Sequence, residues 1–91
     1  MAEKIKLAWS ELVSRLPREA IDAIIEHVFG AHYSGEQTIE QIAPYKWRVE
    51  LIYTRSDGLE IVIIAEKHCG YGEDDEIVCD YKVLDAYEIS G

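Results

Sequence analysis

Apolar residues recur at helical spacing in the first third of the chain. Those that follow Pro17 are Ile21, Ile24, Ile25 and Val28. Spacings of three and four positions place them on one face of an α-helix. Proline suits the first position of a helix, where its missing N–H is not needed. The pattern therefore predicts an amphipathic helix over residues 17–33, preceded by a short helical segment at 11–16.

A capping-box pattern follows this helix. Thr38 stands three positions before Gln41, and in a capping box these two side chains satisfy backbone N–H groups at a helix start. Pro44 cannot continue a helix. The pattern therefore predicts a third, short helix at 39–43, so that the helical part of the chain spans residues 8–43.

The second half of the chain has the pattern of β-strands. Apolar and polar residues alternate over 45–55, which is typical of a strand with one buried face, and 59–67 is apolar on both faces. A loop with consecutive acids is expected over 68–76, followed by a third strand over 77–89. Asp85 interrupts the apolar pattern of that strand and predicts a bulge or bend there.

The turn between the first two strands fixes their register. A three-residue turn with Gly58 in the left-handed conformation places Leu51 opposite Ile63 and Arg48 opposite Glu66. A two-residue turn would place apolar residues opposite charged ones. The three-residue turn matches apolar with apolar and cation with anion, and it is therefore the predicted one.

Together these elements predict an α+β fold in a single domain, residues 1–91. Its N-terminal helices (8–43) pack on a three-stranded antiparallel β-meander (45–89). The sheet face turned away from the helices still carries apolar residues such as Ile52 and Leu84. This favours either a homodimer or cover by the N-terminal segment that contains Ile5, Leu7 and Trp9.

Charge and size narrow the classes of function. The chain has 91 residues, with 18 Asp and Glu against 9 Lys and Arg, and a net charge of −9. An acidic surface of this strength opposes direct binding to nucleic acid or to an anionic membrane. The sequence has neither a stretch long enough to span a bilayer nor the apolar core of a signal peptide. We therefore expect a cytoplasmic protein.

The negative charge is concentrated at the C-terminal end. Residues 69–91 hold one base, Lys82, and seven acids, for a net charge of −6. The acids that we expect to contact a partner are Glu73, Asp74, Asp75, Glu76 and Asp80. A row of carboxylates can imitate the phosphates that basic grooves bind.

Tyrosines supply the expected apolar anchors of an interface. Tyr33, Tyr71 and Tyr87 are predicted to be exposed, and Tyr71 joins the acids as a predicted partner-binding residue. Trp47, Tyr53 and Tyr81 are predicted to lie in the core.

The remaining chemistry is sparse. Cys69 and Cys79 allow a disulfide, a metal site with His68, or two reduced thiols. Because nothing in the sequence indicates an oxidising compartment, reduced thiols with Cys79 in the core are the expectation. The acids lack the spacing of a calcium loop, and the cysteines lack the close pairing of a zinc site. No catalytic triad or phosphate-binding loop is present, so we expect no enzyme, no metal and no cofactor.

In size, acidity and α+β layout the chain is similar to small phage-encoded inhibitors, above all the anti-CRISPR proteins. The resemblance covers the whole chain, rests on composition and layout, and transfers no site residue. It implies a non-catalytic inhibitor that binds a basic, nucleic-acid-handling protein and blocks its nucleic-acid-binding surface or a moving part. The alternative is a dimerising interaction module, an immunity protein or an antitoxin-like subunit that binds its partner through the sheet face or the helix.

Overall fold

The structure, a computed structural model, describes residues 3–6 and 15–90, with side chains over 15–89. Its elements are β1 (Glu3–Lys6), α1 (Arg18–Phe29), β2 (His32–Ala43), β3 (Lys46–Thr54), β4 (Glu60–Tyr71) and β5 (Ile77–Ser90). The α+β class is confirmed. The described residues contain one helix and five strands, so the prediction of several helices on three strands was wrong in number.

The strands form one antiparallel sheet in the order β1-β5-β4-β3-β2. The four long strands β2 to β5 make a meander with short connections. The short strand β1 lies at the opposite edge, beside β5, so α1 connects the two edges of the sheet. The strand predicted over 59–67 corresponds to β4, which lies in the middle of the sheet as expected.

Helix α1 confirms the centre of the predicted helix but not its length. Ile21 and Ile25 are fully buried against the sheet. Gly30 ends the helix in the left-handed conformation, with φ 68°, and its N–H donates to the carbonyl of Glu26. Because glycine takes this conformation without a steric penalty, the helix stops there rather than at residue 33. The segment predicted at 11–16 lies mainly outside the described residues.

Strand β2 replaces the short helix predicted at 39–43. It pairs with β3 along its whole length, with three register shifts. Most of its side chains are exposed on both faces of this edge strand. An edge strand of this kind does not need alternating polarity, and the extra residues at its irregular positions break the period of two. Because β2 lacks an alternating pattern, only the capping-box pattern at Thr38 was recognisable, and it indicated a helix.

The β3–β4 hairpin follows the predicted register. Leu51 lies opposite Ile63, and Arg48 lies opposite Glu66. The N–H of Arg55 donates to the carbonyl of Leu59 across 2.8 Å, which leaves a three-residue turn. Gly58 has the expected left-handed conformation, with φ 95°. The bulge predicted near Asp85 is also present, one residue earlier, at Leu84.

The core lies between α1 and one face of the sheet. Its largest fully buried side chains are Tyr53, Ile21, Ile25, Leu51, Ile61, Ile63 and Val49. On the opposite face of the sheet, Val62 is buried, and Ile52 and Ile64 are half-buried. The apolar side chains of this second face are therefore only partly exposed. Of the segment predicted to cover that face, Leu7 and Trp9 lie outside the described residues, whereas Ile5 lies in β1 at the edge of the sheet.

Candidate functional site

The β4–β5 hairpin ends beside the start of the helix, where Arg18 and Glu19 line a pocket together with Glu76 and Ile77. Its strands run to Tyr71 and restart at Ile77, which lie opposite each other. The N–H of Gly72 donates to the carbonyl of Glu76 across 2.7 Å, and Asp75 takes a left-handed conformation, with φ 58°, that aspartate tolerates. The loop predicted over 68–76 was therefore too long, because residues 68–71 belong to β4 and only 72–76 form the turn.

A disulfide joins the two strands of this hairpin. Cys69 and Cys79 lie directly opposite each other, and their sulfur atoms are 2.05 Å apart. The expectation of two reduced thiols was wrong. Because the turn is short, the register brings the two cysteines face to face. Cys69 is the buried member, whereas Cys79, predicted in the core, is half-buried.

The end of the hairpin exposes apolar and acidic groups side by side. Tyr71 is 69% exposed and Ile77 is 71% exposed. The turn between them holds Glu73, Asp74, Asp75 and Glu76, and all four are exposed. We call these six residues the tip surface. It unites five of the six predicted partner-binding residues.

Asp80 is the predicted site residue that the fold separates from the others. It lies opposite His68, on the sheet face turned away from Tyr71, because its position on β5 is one residue out of phase with Ile77 and Cys79. It is also half-buried. Asp80 therefore does not belong to the tip surface.

An apolar cleft of about 380 Å³ lies beside the tip surface. It is lined by Thr38, Tyr45, Trp47, Lys67, Cys69, Gly70, Tyr71, Ile77 and Cys79. Three aromatic rings and the disulfide make up most of this lining. No residue of α1 contributes to it, because α1 packs over the other part of the same sheet face.

Tyr45 is the cleft residue whose position the sequence pattern did not predict. It was assigned to a strand face, but it forms the two-residue β2–β3 turn together with Pro44. Its φ is 62°, and proline before a residue with positive φ is the type II arrangement, which normally takes glycine or asparagine. Its carbonyl accepts a hydrogen bond of 2.9 Å from the N–H of Cys69. The Pro-Tyr pair itself was the signal that could have indicated a turn.

The other aromatic predictions are confirmed in part. Tyr53 and Tyr81 are buried in the core as expected, and Tyr71 is exposed. Tyr33 is half-buried, with its ring 5.9 Å from that of Tyr53. Tyr87 is also half-buried, and its hydroxyl donates to a neighbouring carboxylate. Neither Tyr33 nor Tyr87 is a freely exposed anchor.

Two separate carboxylates, Glu36 and Asp22, accept hydrogen bonds from side chains of the sheet. Tyr81 and Lys67 donate to the Glu36 carboxylate across 2.7 and 2.9 Å. Burial disfavours the charged form of Glu36, but these two hydrogen bonds outweigh it and hold its pKa below the usual range. Tyr53 donates to Asp22 across 2.6 Å.

The two carboxylates also affect the tyrosines that donate to them. Burial, together with the hydrogen bonds to their carboxylate partners, raises the pKa of Tyr53 and of Tyr81. Both hydroxyls therefore stay protonated at neutral pH and act as donors. The hydrogen bond from Tyr53 to Asp22 joins the sheet to the helix.

Two further observations delimit the site. In the part of the chain that the structure describes, no three His, Cys, Asp or Glu side chains are grouped so that they could hold a metal ion. Among the same residues no helix is long and apolar enough to cross a membrane. Comparison with protein-family models, curated proteins and solved structures yields no match.

Proposed function

We propose that this chain is a non-catalytic binding protein that contacts a basic protein partner through the tip surface. The observation that carries the proposal is the juxtaposition of two exposed apolar side chains, Tyr71 and Ile77, with four exposed acids of the turn between them. Interfaces of proteins commonly place an aromatic anchor inside a polar rim. The tip surface has this composition.

The hairpin also has the rigidity that a binding surface needs. The disulfide joins its strands two residues from Tyr71 and Ile77, and the hydrogen bond from Cys69 to Tyr45 ties it to the neighbouring turn. A pre-organised surface loses less conformational entropy on binding than a mobile loop. This supports the hairpin tip as a contact surface.

The acids indicate the class of partner. Four carboxylates in succession, on a chain with a net charge of −9, attract a positively charged surface and accelerate association with it. Nucleic-acid-handling proteins have such surfaces. We therefore extend the proposal to an inhibitor similar to the anti-CRISPR proteins, which blocks a basic groove or a moving part of its target.

The cellular compartment in which the chain acts is part of the same proposal. The cytoplasmic location expected from the sequence stays a prediction. The disulfide weighs against it, because disulfides persist mainly in oxidising compartments. Binding should therefore be compared with the hairpin oxidised and reduced.

A pull-down with charge-matched variants tests the proposal. The test variant changes Glu73 and Glu76 to Gln and Asp74 and Asp75 to Asn; asparagine at position 75 tolerates the left-handed conformation. The control variant changes Glu26, Glu50, Glu60 and Glu88 to Gln. Both variants carry the same net charge. Loss of a basic nucleic-acid-handling protein from the test variant alone is expected, and equal capture by both variants would refute the assignment of the tip surface.

The dimerising module is the second candidate. The observation in its favour is Leu84, which is 43% exposed at the bulge on the sheet face that also carries the half-buried Ile52 and Ile64. This reading predicts a mass that increases with concentration in analytical ultracentrifugation. A monomer at all concentrations up to hundreds of micromolar would exclude it.

A further inference from the structure

We infer that the cleft beside the tip surface receives an apolar side chain of a partner segment that carries Lys or Arg next to it. This inference rests on the proposed function and adds the chemistry of the bound segment. The cleft and the acidic turn are continuous, because Tyr71 and Ile77 line the cleft and flank the turn. One segment can therefore reach both.

The composition of the cleft selects an apolar group. Rings of Tyr45, Trp47 and Tyr71, the side chain of Ile77 and the disulfide make its walls. Its volume of about 380 Å³ is at the lower end of the range for ligand sites, about 300–1,000 Å³. Such a space suits one or two side chains. A phosphorylated cofactor would need cationic or backbone N–H donors that are free to bind it.

The charges around the cleft select a cationic neighbour. Lys67 is the one base in the lining, and its ammonium group is already paired with Glu36 across 2.9 Å. In contrast, none of the four acids of the turn has an ion pair within the described part of the chain. The unpaired charge beside the cleft is therefore negative. A bound segment gains from a base on the side that faces the turn.

The backbone at Tyr45 supplies an independent argument. A non-glycine residue in the left-handed region costs on the order of 1 kcal/mol, and residues held in this way are concentrated at ligand-binding sites. Tyr45 is 56% exposed, so its ring contributes little to the core. Glycine or asparagine would form the turn more easily. The ring is therefore explained by the cleft that it lines and not by the stability of the fold.

A matched pair of variants isolates the cleft. Ile77→Ser removes a cleft side chain, and Val78→Ser is its control. The two residues are adjacent on β5 and both exposed, at 71% and 46%. Val78 lies opposite Gly70, whereas Ile77 lies opposite Tyr71, so their side chains are on opposite faces. Thermal melting of both variants establishes that they remain folded.

The probe is a phage-displayed library of random dodecapeptides, selected on the oxidised wild-type protein. We expect enriched peptides with one large apolar residue and Lys or Arg beside it. A synthetic peptide of the enriched sequence should bind Ile77→Ser about tenfold more weakly than wild type, which corresponds to loss of one partly buried aliphatic contact. Val78→Ser should change its affinity by less than about twofold.

The other outcomes overturn the inference in different ways. The inference that the cleft binds an apolar side chain would be refuted by purely basic peptides that bind Ile77→Ser as well as wild type. A selection without enriched peptides would refute it as well. Enriched apolar peptides without a base would refute the charge argument. A dimer lost in Ile77→Ser alone would assign the cleft to a second copy of the chain. The pull-down with the charge variants does not depend on any of these results. The proposed function can therefore be confirmed or refuted independently of the cleft.

Discussion

Removal of the disulfide should destabilise the whole domain by a predictable amount. The bridge joins residues ten positions apart. Loop-closure entropy for a segment of that length corresponds to about 2.7 kcal/mol at 25 °C, because the bridge restricts the unfolded chain. For a domain of this size each kcal/mol moves the melting temperature by about 4–8 °C. The double variant Cys69→Ser, Cys79→Ser should therefore melt about 10–20 °C below the oxidised protein.

The assay is thermal denaturation followed by circular dichroism, with and without a phosphine reductant. Thiol titration under denaturing conditions counts the free thiols before and after reduction. The reduced wild type should melt close to the double variant, and the double variant should not respond to the reductant. If the oxidised protein has no free thiol and reduction moves its melting temperature by less than about 2 °C, the argument from chain entropy is refuted.

The remaining predictions concern single residues. Tyr45→Asn should raise the free energy of unfolding by about 0.5–1 kcal/mol, because asparagine fits the left-handed turn position; a loss above 1 kcal/mol in urea denaturation would contradict this. Glu36→Gln should lower it by about 1–2 kcal/mol at neutral pH. Because the native pKa of Glu36 is lowered, its carboxylate stabilises fully above the ordinary value of about 4.3 and progressively less as the pH falls through the native pKa. The difference from wild type should therefore shrink below about pH 4, and a constant difference down to pH 2 would refute this assignment. Ile63→Ala, in the middle of the sheet, should cost about 3–4 kcal/mol, and a cost below 1 kcal/mol in chemical denaturation would show that β4 is not the centre of the core.

The sequence predicted those elements whose pattern depends on burial. The register of β3 and β4 followed from matching apolar residues on two strands that share a buried face, as Leu51 and Ile63 do. The helix centre followed from Ile21 and Ile25 for the same reason. Burial constrains the residue type at each such position, and the secondary structure can therefore be predicted from the spacing of the apolar residues.

Other features depend on contacts that leave no such pattern. The pairing of β1 with β5 joins two distant parts of the chain through only four residues. Edge strand β2 is solvated on both faces, so its sequence allowed a helix prediction. The disulfide followed only from the length of the turn between Tyr71 and Ile77, which the acids and glycines of that region did not determine.

The candidate site was predictable in its charge but not in its shape. The acids of the turn were recognised from the sequence because they are consecutive. The cleft was not recognised, because it combines residues of four strands and the β2–β3 turn that are far apart in the sequence. Tyr45 was missed since alternation along 45–55 placed it on a strand face. Asp80 was expected near the same edge as the acids of the turn, but strand geometry turns it to the other face.

Site-specific photo-crosslinking in cells tests the central claim most directly. A photoreactive phenylalanine analogue replaces either Ile77 at the hairpin tip or Val28 on the helix; the native side chains are exposed to a similar extent, 71% and 61%. We expect a crosslinked basic protein from position 77 and none from position 28. A crosslink from position 28 alone, or a crosslink from position 77 only to a second copy of the chain, would contradict it.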